Sequence, residues 1–79
     1  NYYVNYRNRP AGRVSQKING RPALSWSAEF QRYDQPWIEV ITAIYSENVI
    51  AQVGLQIPAA KFEAARPAFA QLVESVRLP

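Results

Sequence analysis

The chain has 79 residues and a formal net charge of +3, and it contains no cysteine, histidine or methionine. This length predicts a single domain. The lack of cysteine excludes disulfides and thiolate metal sites, and the lack of histidine removes the commonest general base and metal ligand. No long uncharged apolar run is present, so no membrane-spanning helix is expected. Because position 1 is asparagine rather than methionine, we expect a fragment or processed part of a larger protein.

The first 18 residues predict two short strands. Residues 1–7 alternate in polarity from the first position, which is typical of a strand. Residues 10–12, Pro-Ala-Gly, predict a break, and residues 13–18 predict a second, more polar strand.

Asn19-Gly20 is a strong hairpin signal. If the apolar residues before and after this turn are to lie on the same face, the loop must have an odd number of residues. Such a loop would set Val14 near Leu24 or Trp26.

Residues 23–33 predict the next strand, because apolar and polar residues alternate along it. The apolar positions are Leu24, Trp26, Ala28 and Phe30. Residues 34–36, Asp-Gln-Pro, predict a turn. A two-residue loop would pair Glu29 with Val40, whereas a five-residue loop over 33–37 would pair Phe30 with Val40 and Trp26 with Ile44. The longer loop collects every large apolar group on one face and is therefore favoured.

Residues 36–58 predict a long hairpin that turns at Ser46-Glu47-Asn48, where Asn48 best suits a positive φ angle. A two-residue loop at Glu47-Asn48 would give a simple register. The pairs would be Ile44 with Ala51, Thr42 with Val53, Val40 with Leu55 and Ile38 with Ile57. A slip of one residue would bury Glu39, which costs more than burying Thr42.

The C-terminal residues predict a helix after Pro58, with an apolar stripe against the sheet. The stripe consists of Phe62, Ala65, Phe69, Leu72, Val73 and Val76. Pro67 conflicts with a straight helix, so either the helix kinks there or a short turn at 59–65 precedes a main helix at 67–77. The expected fold class is α+β: an antiparallel meander of four to five strands, with Trp26 and Phe30 in the core beneath the helix.

The last sixty residues resemble the C-terminal half of PsbP/Mog1-like domains, which include bacterial envelope lipoproteins and thylakoid-lumen proteins. The resembling features are "INGRPAL" at 18–24, the long hairpin, and the pattern P…F…A…F…L…SVRLP from Pro58 to Pro79. The resemblance implies part of an α/β/α sandwich and an extracytoplasmic location. It carries no catalytic motif, so it assigns no functional residue.

The outer side of the hairpin is unusually apolar, and it is a candidate partner surface. Its residues are Trp37, Ile41, Tyr45 and Ile50, with Ala43 between them. The competing interpretation is that another helix of the same fold, or a second copy, covers this side.

The N-terminal third carries basic residues and no acid, and it is a candidate anion or nucleic-acid surface. Its cations are Arg7, Arg9, Arg13, Lys17 and Arg21, and Tyr2, Tyr3 and Tyr6 could stack on bases. The competing interpretation is a solvated face that protects an exposed strand edge.

No residues indicate an enzyme, a metal site or a cofactor site. Glu29 and Glu39 are expected on one outer face near Arg32, but they show no spacing that predicts catalysis. The leading functional prediction is therefore a non-enzymatic accessory or interaction domain. The alternatives are a carrier of a small apolar ligand between helix and sheet, and a nucleic-acid binder.

Overall fold

The structure, a computed structural model, describes residues 4–78. Four strands are followed by a short 3-10 turn and one helix. The strands are β1 (Val4–Ile18), β2 (Arg21–Arg32), β3 (Gln35–Tyr45) and β4 (Ile50–Pro58); the 3-10 turn is Ala59–Lys61 and the helix α1 is Phe62–Glu74. The strands form one antiparallel sheet in the order β1-β2-β3-β4. The α+β class, the meander and the C-terminal helix are thus as predicted.

The helix packs on one face of the sheet, near the end where the β1–β2 and β3–β4 turns lie. Its buried Val73 contacts Ile18, Ala23 and Ile44 of three different strands. Four partly buried residues pack around this cluster: Val53, Phe69, Val76 and Leu78. We call this side of the sheet the helix face and the opposite side the outer face.

The register of the β3–β4 hairpin is the predicted one. Ile44 pairs with Ala51, Thr42 with Val53, Val40 with Leu55, and Ile38 with Ile57. The Ser46 N–H donates to the Val49 carbonyl at 2.9 Å and closes the loop around Glu47-Asn48. The expectation of a positive φ angle at Asn48 is wrong, because Asn48 is not among the described residues with positive φ.

The predicted five-residue loop between β2 and β3 is wrong. The connection is a two-residue turn at Tyr33-Asp34, where φ is +53° and +59°. Gln35 and Pro36, which were expected in the turn, begin β3. Two successive positive φ angles give the twist of a type I′ turn, which matches the twist of the flanking strands.

This tight turn moves Trp26 and Phe30 to the outer face. Trp26 pairs with Ile41, and Phe30 pairs with Trp37 rather than with Val40. Side chains alternate between faces along a strand, so Trp26 lies on the outer face, whereas Val53 lies on the helix face. The prediction that Trp26 and Phe30 lie beneath the helix is therefore wrong. Phe30 is nevertheless 1% exposed, within a second apolar layer on the outer face.

A single long β1 replaces the two short strands that the sequence predicts, and residues 1–3 lie outside the described residues. Between Asn8, which pairs with Ala28, and Arg13, which pairs with Trp26, the strand bulges instead of ending. Gly12 permits this bulge, because a Cβ atom there would lie 2.9 Å from the Arg9 carbonyl oxygen and 2.9 Å from Ser27 Oγ.

The Asn19-Gly20 hairpin is confirmed, but its loop has two residues rather than an odd number. Ile18 pairs with Arg21, and the φ angles of Asn19 and Gly20 are +52° and +79°. Val14 consequently faces Ser25, not Leu24 or Trp26, and is 50% exposed.

Asn19 also holds the C-terminal end of α1. Its side-chain Nδ2 donates to the carbonyls of Glu74 at 2.9 Å and Val76 at 3.3 Å. The last carbonyls of a helix have no partner within the helix, and this amide satisfies two carbonyls at that end.

The helix stripe is confirmed at Phe62, Phe69, Val73 and Val76 but wrong at Leu72. Phe62 is 9% and Val73 is 6% exposed, whereas Leu72 is 54% exposed. The helix passes through Pro67 after the 3-10 turn, rather than starting at residue 67.

Introducing Asn-Gly at the Tyr33-Asp34 turn should stabilise the domain. A left-handed conformation costs about 1–2 kcal/mol per residue in general and is tolerated best by glycine and asparagine. We expect the double variant Tyr33→Asn/Asp34→Gly to raise the free energy of unfolding by about 1 kcal/mol. Urea denaturation followed by circular dichroism measures this change.

The matched control places the same dipeptide in the other loop, as Glu47→Asn/Asn48→Gly. The described positive φ angles do not include these positions, so this pair should bring no gain. Equal gains in both loops would contradict the backbone assignment.

Candidate functional site

An apolar patch occupies the outer face near the β3–β4 turn. We call it the outer patch; its residues are Leu24, Trp26, Ile41, Tyr45 and Ile50. Ile50 is 58% exposed, and the other four are only partly buried. Gly54 pairs with Ile41, and a Cβ atom there would meet nothing closer than 3.9 Å. The patch is therefore open on the β4 side.

The predicted partner surface is divided between the two ends of the outer face. Ile41, Tyr45 and Ile50 belong to the outer patch. Trp37 lies eight residues before Tyr45 on the same strand, roughly 27 Å away at the usual strand rise. The sequence reasoning missed Leu24 and Trp26 because it assigned their strand face to the helix side.

Trp37 belongs to an aromatic stack at the far end. Its ring lies 6.3 Å from the Phe30 ring, which lies 6.1 Å from the Tyr6 ring. The Arg32 guanidinium covers Trp37 at 5.1 Å from the ring centre. The Trp37 indole N–H is buried with no hydrogen-bond acceptor among the described residues. This end of the face is already covered by the chain's own side chains.

Two of the five predicted cations border the outer patch. Arg13 pairs with Trp26 in the sheet, and Lys17 pairs with Pro22, so alternation puts both on the outer face. Both residues are exposed, and neither has a carboxylate partner within the part of the chain that the structure describes. The outer patch is therefore apolar with a basic margin.

The other three cations have different surroundings. Arg7 forms an ion pair with Glu29 at 2.9 Å. Arg21 donates to the Leu78 carbonyl at 3.2 Å, and Arg9 lies 5.2 Å from the centre of the Phe62 ring. The five cations thus lie on both sides of the sheet and form no single basic face. Tyr2 and Tyr3, named for base stacking, lie outside the described residues.

A groove of about 610 Å³ lies between α1 and β1, on the helix face. We call it the helix groove. Its floor contains Ser25, Ser27 and Thr42, where larger side chains would have filled the space. Ser25 Oγ lies 2.7 Å from Thr42 Oγ1 and accepts a hydrogen bond from Gln16 Nε2 at 3.0 Å. The apolar lining includes Val14, Val40, Phe69, Ala70 and Val73.

Glu29 and Glu39 do not share a face, contrary to the sequence prediction. Glu29 pairs with Ile38 in the sheet and with the Arg7 side chain, whereas Glu39 pairs with Ala28. The Glu39 carboxylate accepts hydrogen bonds from Tyr6 Oη at 2.7 Å and Gln56 Nε2 at 2.6 Å. Between residues 4 and 78, no group of three or more acidic residues could hold a metal ion.

Comparison with known proteins gives no relative. No family model, curated protein or solved structure matches the chain. Within the described residues, no helix has the length and apolar character needed to cross a membrane. The outer patch and the helix groove are therefore the features from which a function is inferred.

Proposed function

We propose that this chain is a non-enzymatic interaction domain that binds an acidic amphipathic helix of a partner protein on its outer patch. The observation that carries the proposal is the combination of partly exposed apolar side chains with unpaired cations at their margin. Trp26 and Ile41 form the centre of the patch, and Arg13 and Lys17 form its margin.

A helix is the favoured occupant because of the way sheets bury their faces. A sheet with an apolar face is normally covered by a helix or by another sheet. The helix face is partly covered by α1, while the outer patch has no covering element among the described residues. The resemblance to PsbP/Mog1-like domains supports the same arrangement, because it implies helices on both sides of the sheet.

Charge complementarity favours an acidic partner over a second copy. Among the described strand residues, the outer face carries Arg13, Lys17 and Arg32, and its one acid there, Glu39, is already hydrogen-bonded to Tyr6 and Gln56. Two copies packed through this face would bring like charges together, which costs free energy. A helix with an apolar stripe flanked by glutamates would instead place carboxylates beside the cations.

The proposed location is outside the cytoplasm, and it rests on the family resemblance alone. The functions in that family are diverse and include binding other proteins, and the family shares no catalytic motif. The proposal requires no cofactor.

A pair of designed helical peptides tests the proposal. Both carry the same leucine and phenylalanine stripe, flanked by glutamate in one and by lysine in the other. We expect the glutamate peptide to bind at least about tenfold more tightly at low salt. Tryptophan fluorescence and calorimetry measure both affinities. The variant Arg13→Glu/Lys17→Glu should invert this preference, and Ile41→Asp should weaken both peptides.

Arg9→Gln, on the helix face, is the matched control and should leave both affinities unchanged. Equal affinities for the glutamate and the lysine peptide would overturn the proposal. So would concentration-dependent dimerisation in sedimentation that Ile41→Asp abolishes, because a second copy would then be the occupant.

A further inference from the structure

We infer that the helix groove binds a small free carboxylate with an apolar tail, such as a medium-chain fatty acid. This site lies on the opposite face from the outer patch and does not depend on the proposed partner. At about 610 Å³, the groove falls within the range of small-molecule sites, roughly 300–1,000 Å³.

Two guanidinium groups beside the groove supply the complementarity to an anion. Arg9 and Arg66 both line the groove, and their guanidinium carbons lie 5.2 Å and 5.9 Å from the centre of the Phe62 ring. Phe62 is buried at the start of α1, so it provides a fixed surface on which both cations rest. Two like charges near one ring raise the local positive potential, which favours an anion.

The neighbouring acids do not cancel this charge. Glu63 pairs with Arg66 at 3.0 Å, but both side chains are more than half exposed, and such an ion pair contributes little and exchanges readily. Glu74 lines the groove near Asn19, beyond Val73 and two helical turns from Arg66. Arg9 has no carboxylate partner among residues 4–78. One positive charge therefore remains uncompensated at the Phe62 end.

The rest of the groove suits an apolar tail better than a polar body. Val14, Phe69 and Ala70 form its walls, and Val14 is half exposed although it faces the helix side. On the floor, the hydroxyl groups of Ser25 and Thr42 already bond to each other. A tail laid over Val14 and Phe69 would remove apolar surface from water without breaking this network.

Calorimetry with decanoate and decanamide tests the inference, because the two probes share a tail and differ in charge. We expect decanoate to bind at least about tenfold more tightly than decanamide at low salt. Arg9→Gln/Arg66→Gln should reduce this ratio to near one. Arg13→Gln, which removes the same charge from the outer face, should preserve the ratio. Ala70→Trp, at an exposed position in the groove wall, should block both probes while circular dichroism reports an intact fold.

Two-dimensional NMR locates the binding site through the changes in amide chemical shift that decanoate causes. The largest changes are expected at Ser25, Ser27 and Phe69. Several outcomes would overturn the inference: equal affinity for the two probes, a ratio unchanged in Arg9→Gln/Arg66→Gln, or shifts confined to the outer patch. Lack of saturable decanoate binding would overturn it as well. Binding to vesicles containing anionic lipid without binding to free decanoate would assign the arginines to a membrane surface instead. Failure here leaves the peptide result intact, since this test changes Arg9 and Arg66 on the helix face, whereas the peptide test changes Arg13 and Lys17, which alternation puts on the outer face.

Discussion

Replacing Phe30 by alanine should unfold about half of the protein or more at 25 °C. Removing a buried phenylalanine costs about 3–5 kcal/mol, and a single core of this size supplies on the order of 3–5 kcal/mol in total. Phe30 is 1% exposed and lies between the rings of Tyr6 and Trp37. The far-ultraviolet circular dichroism of Phe30→Ala, recorded with and without urea, measures the loss. Val14→Ala is the control and should change the free energy of unfolding by less than about 0.5 kcal/mol.

Double-mutant cycles with the milder Phe30→Leu test which face this residue occupies. Phe30 should couple to Trp37 by about 0.5–1.5 kcal/mol, because their rings stack. It should be additive with Val73→Ala to within about 0.5 kcal/mol, because Val73 lies beyond the other face. Strong coupling to Val73 and none to Trp37 would return Phe30 to the helix face and remove the structural basis of the outer patch.

The second large effect is expected from Val73→Asp, compared with the same change at Leu72. Val73 is 6% exposed among Ile18, Ala23 and Ile44, so an aspartate there would bury an unpaired carboxylate. A loss of about 3 kcal/mol or more should follow. Thermal and urea denaturation of the two variants provides the comparison.

Leu72→Asp is the matched control for Val73→Asp, because both variants add the same charge to the same helix at a similar cost in helix propensity. Because Leu72 is 54% exposed, its variant should lose less than about 1 kcal/mol. If the two losses were reversed, the helix would be rotated by one residue relative to the described packing, and the walls of the helix groove would be wrong.

The β3–β4 register was predictable because the two possible registers differ in whether they bury Glu39. A slip of one position would have placed Glu39 under the helix, and the free-energy cost of burying a carboxylate decided the pairing. The helix stripe was likewise predictable from its spacing, except that Leu72, expected in the stripe together with Val73, is exposed. These neighbours differ by about 100° around the axis, and both lie near the edge of the stripe.

The β2–β3 register was not predictable by the same parity argument. That argument assumed one apolar face, whereas Phe30 and Ala43 on the outer face are as well buried as Ile44 on the helix face. Tyr33-Asp34 also lacks the glycine or asparagine that usually marks a type I′ turn. A better signal was present in Trp37, Ile41 and Tyr45, whose apolar run on the outer face already indicated a second layer.

The helix groove depends on contacts that sequence spacing does not encode. In the sequence, Ser25 and Ser27 resemble solvent-facing residues of an amphipathic strand. They line the floor of the helix groove because the two-residue β2–β3 turn sets a register that puts them on the helix face. The convergence of Arg9 and Arg66 on Phe62 joins residues more than fifty positions apart. Only the outer cations Arg13 and Lys17 could be assigned a shared face from alternation alone, once the register of β1 was known.

The bonds from Asn19 to the end of α1 have a consequence for how the chain folds. They span 55 and 57 residues, so they tie the turn of the first hairpin to the end of the helix. The entropy of closing so long a loop must be overcome before this contact contributes. Fraying of the helix terminus and opening of the first hairpin should thus occur as one cooperative event, although the two segments lie at opposite ends of the described chain.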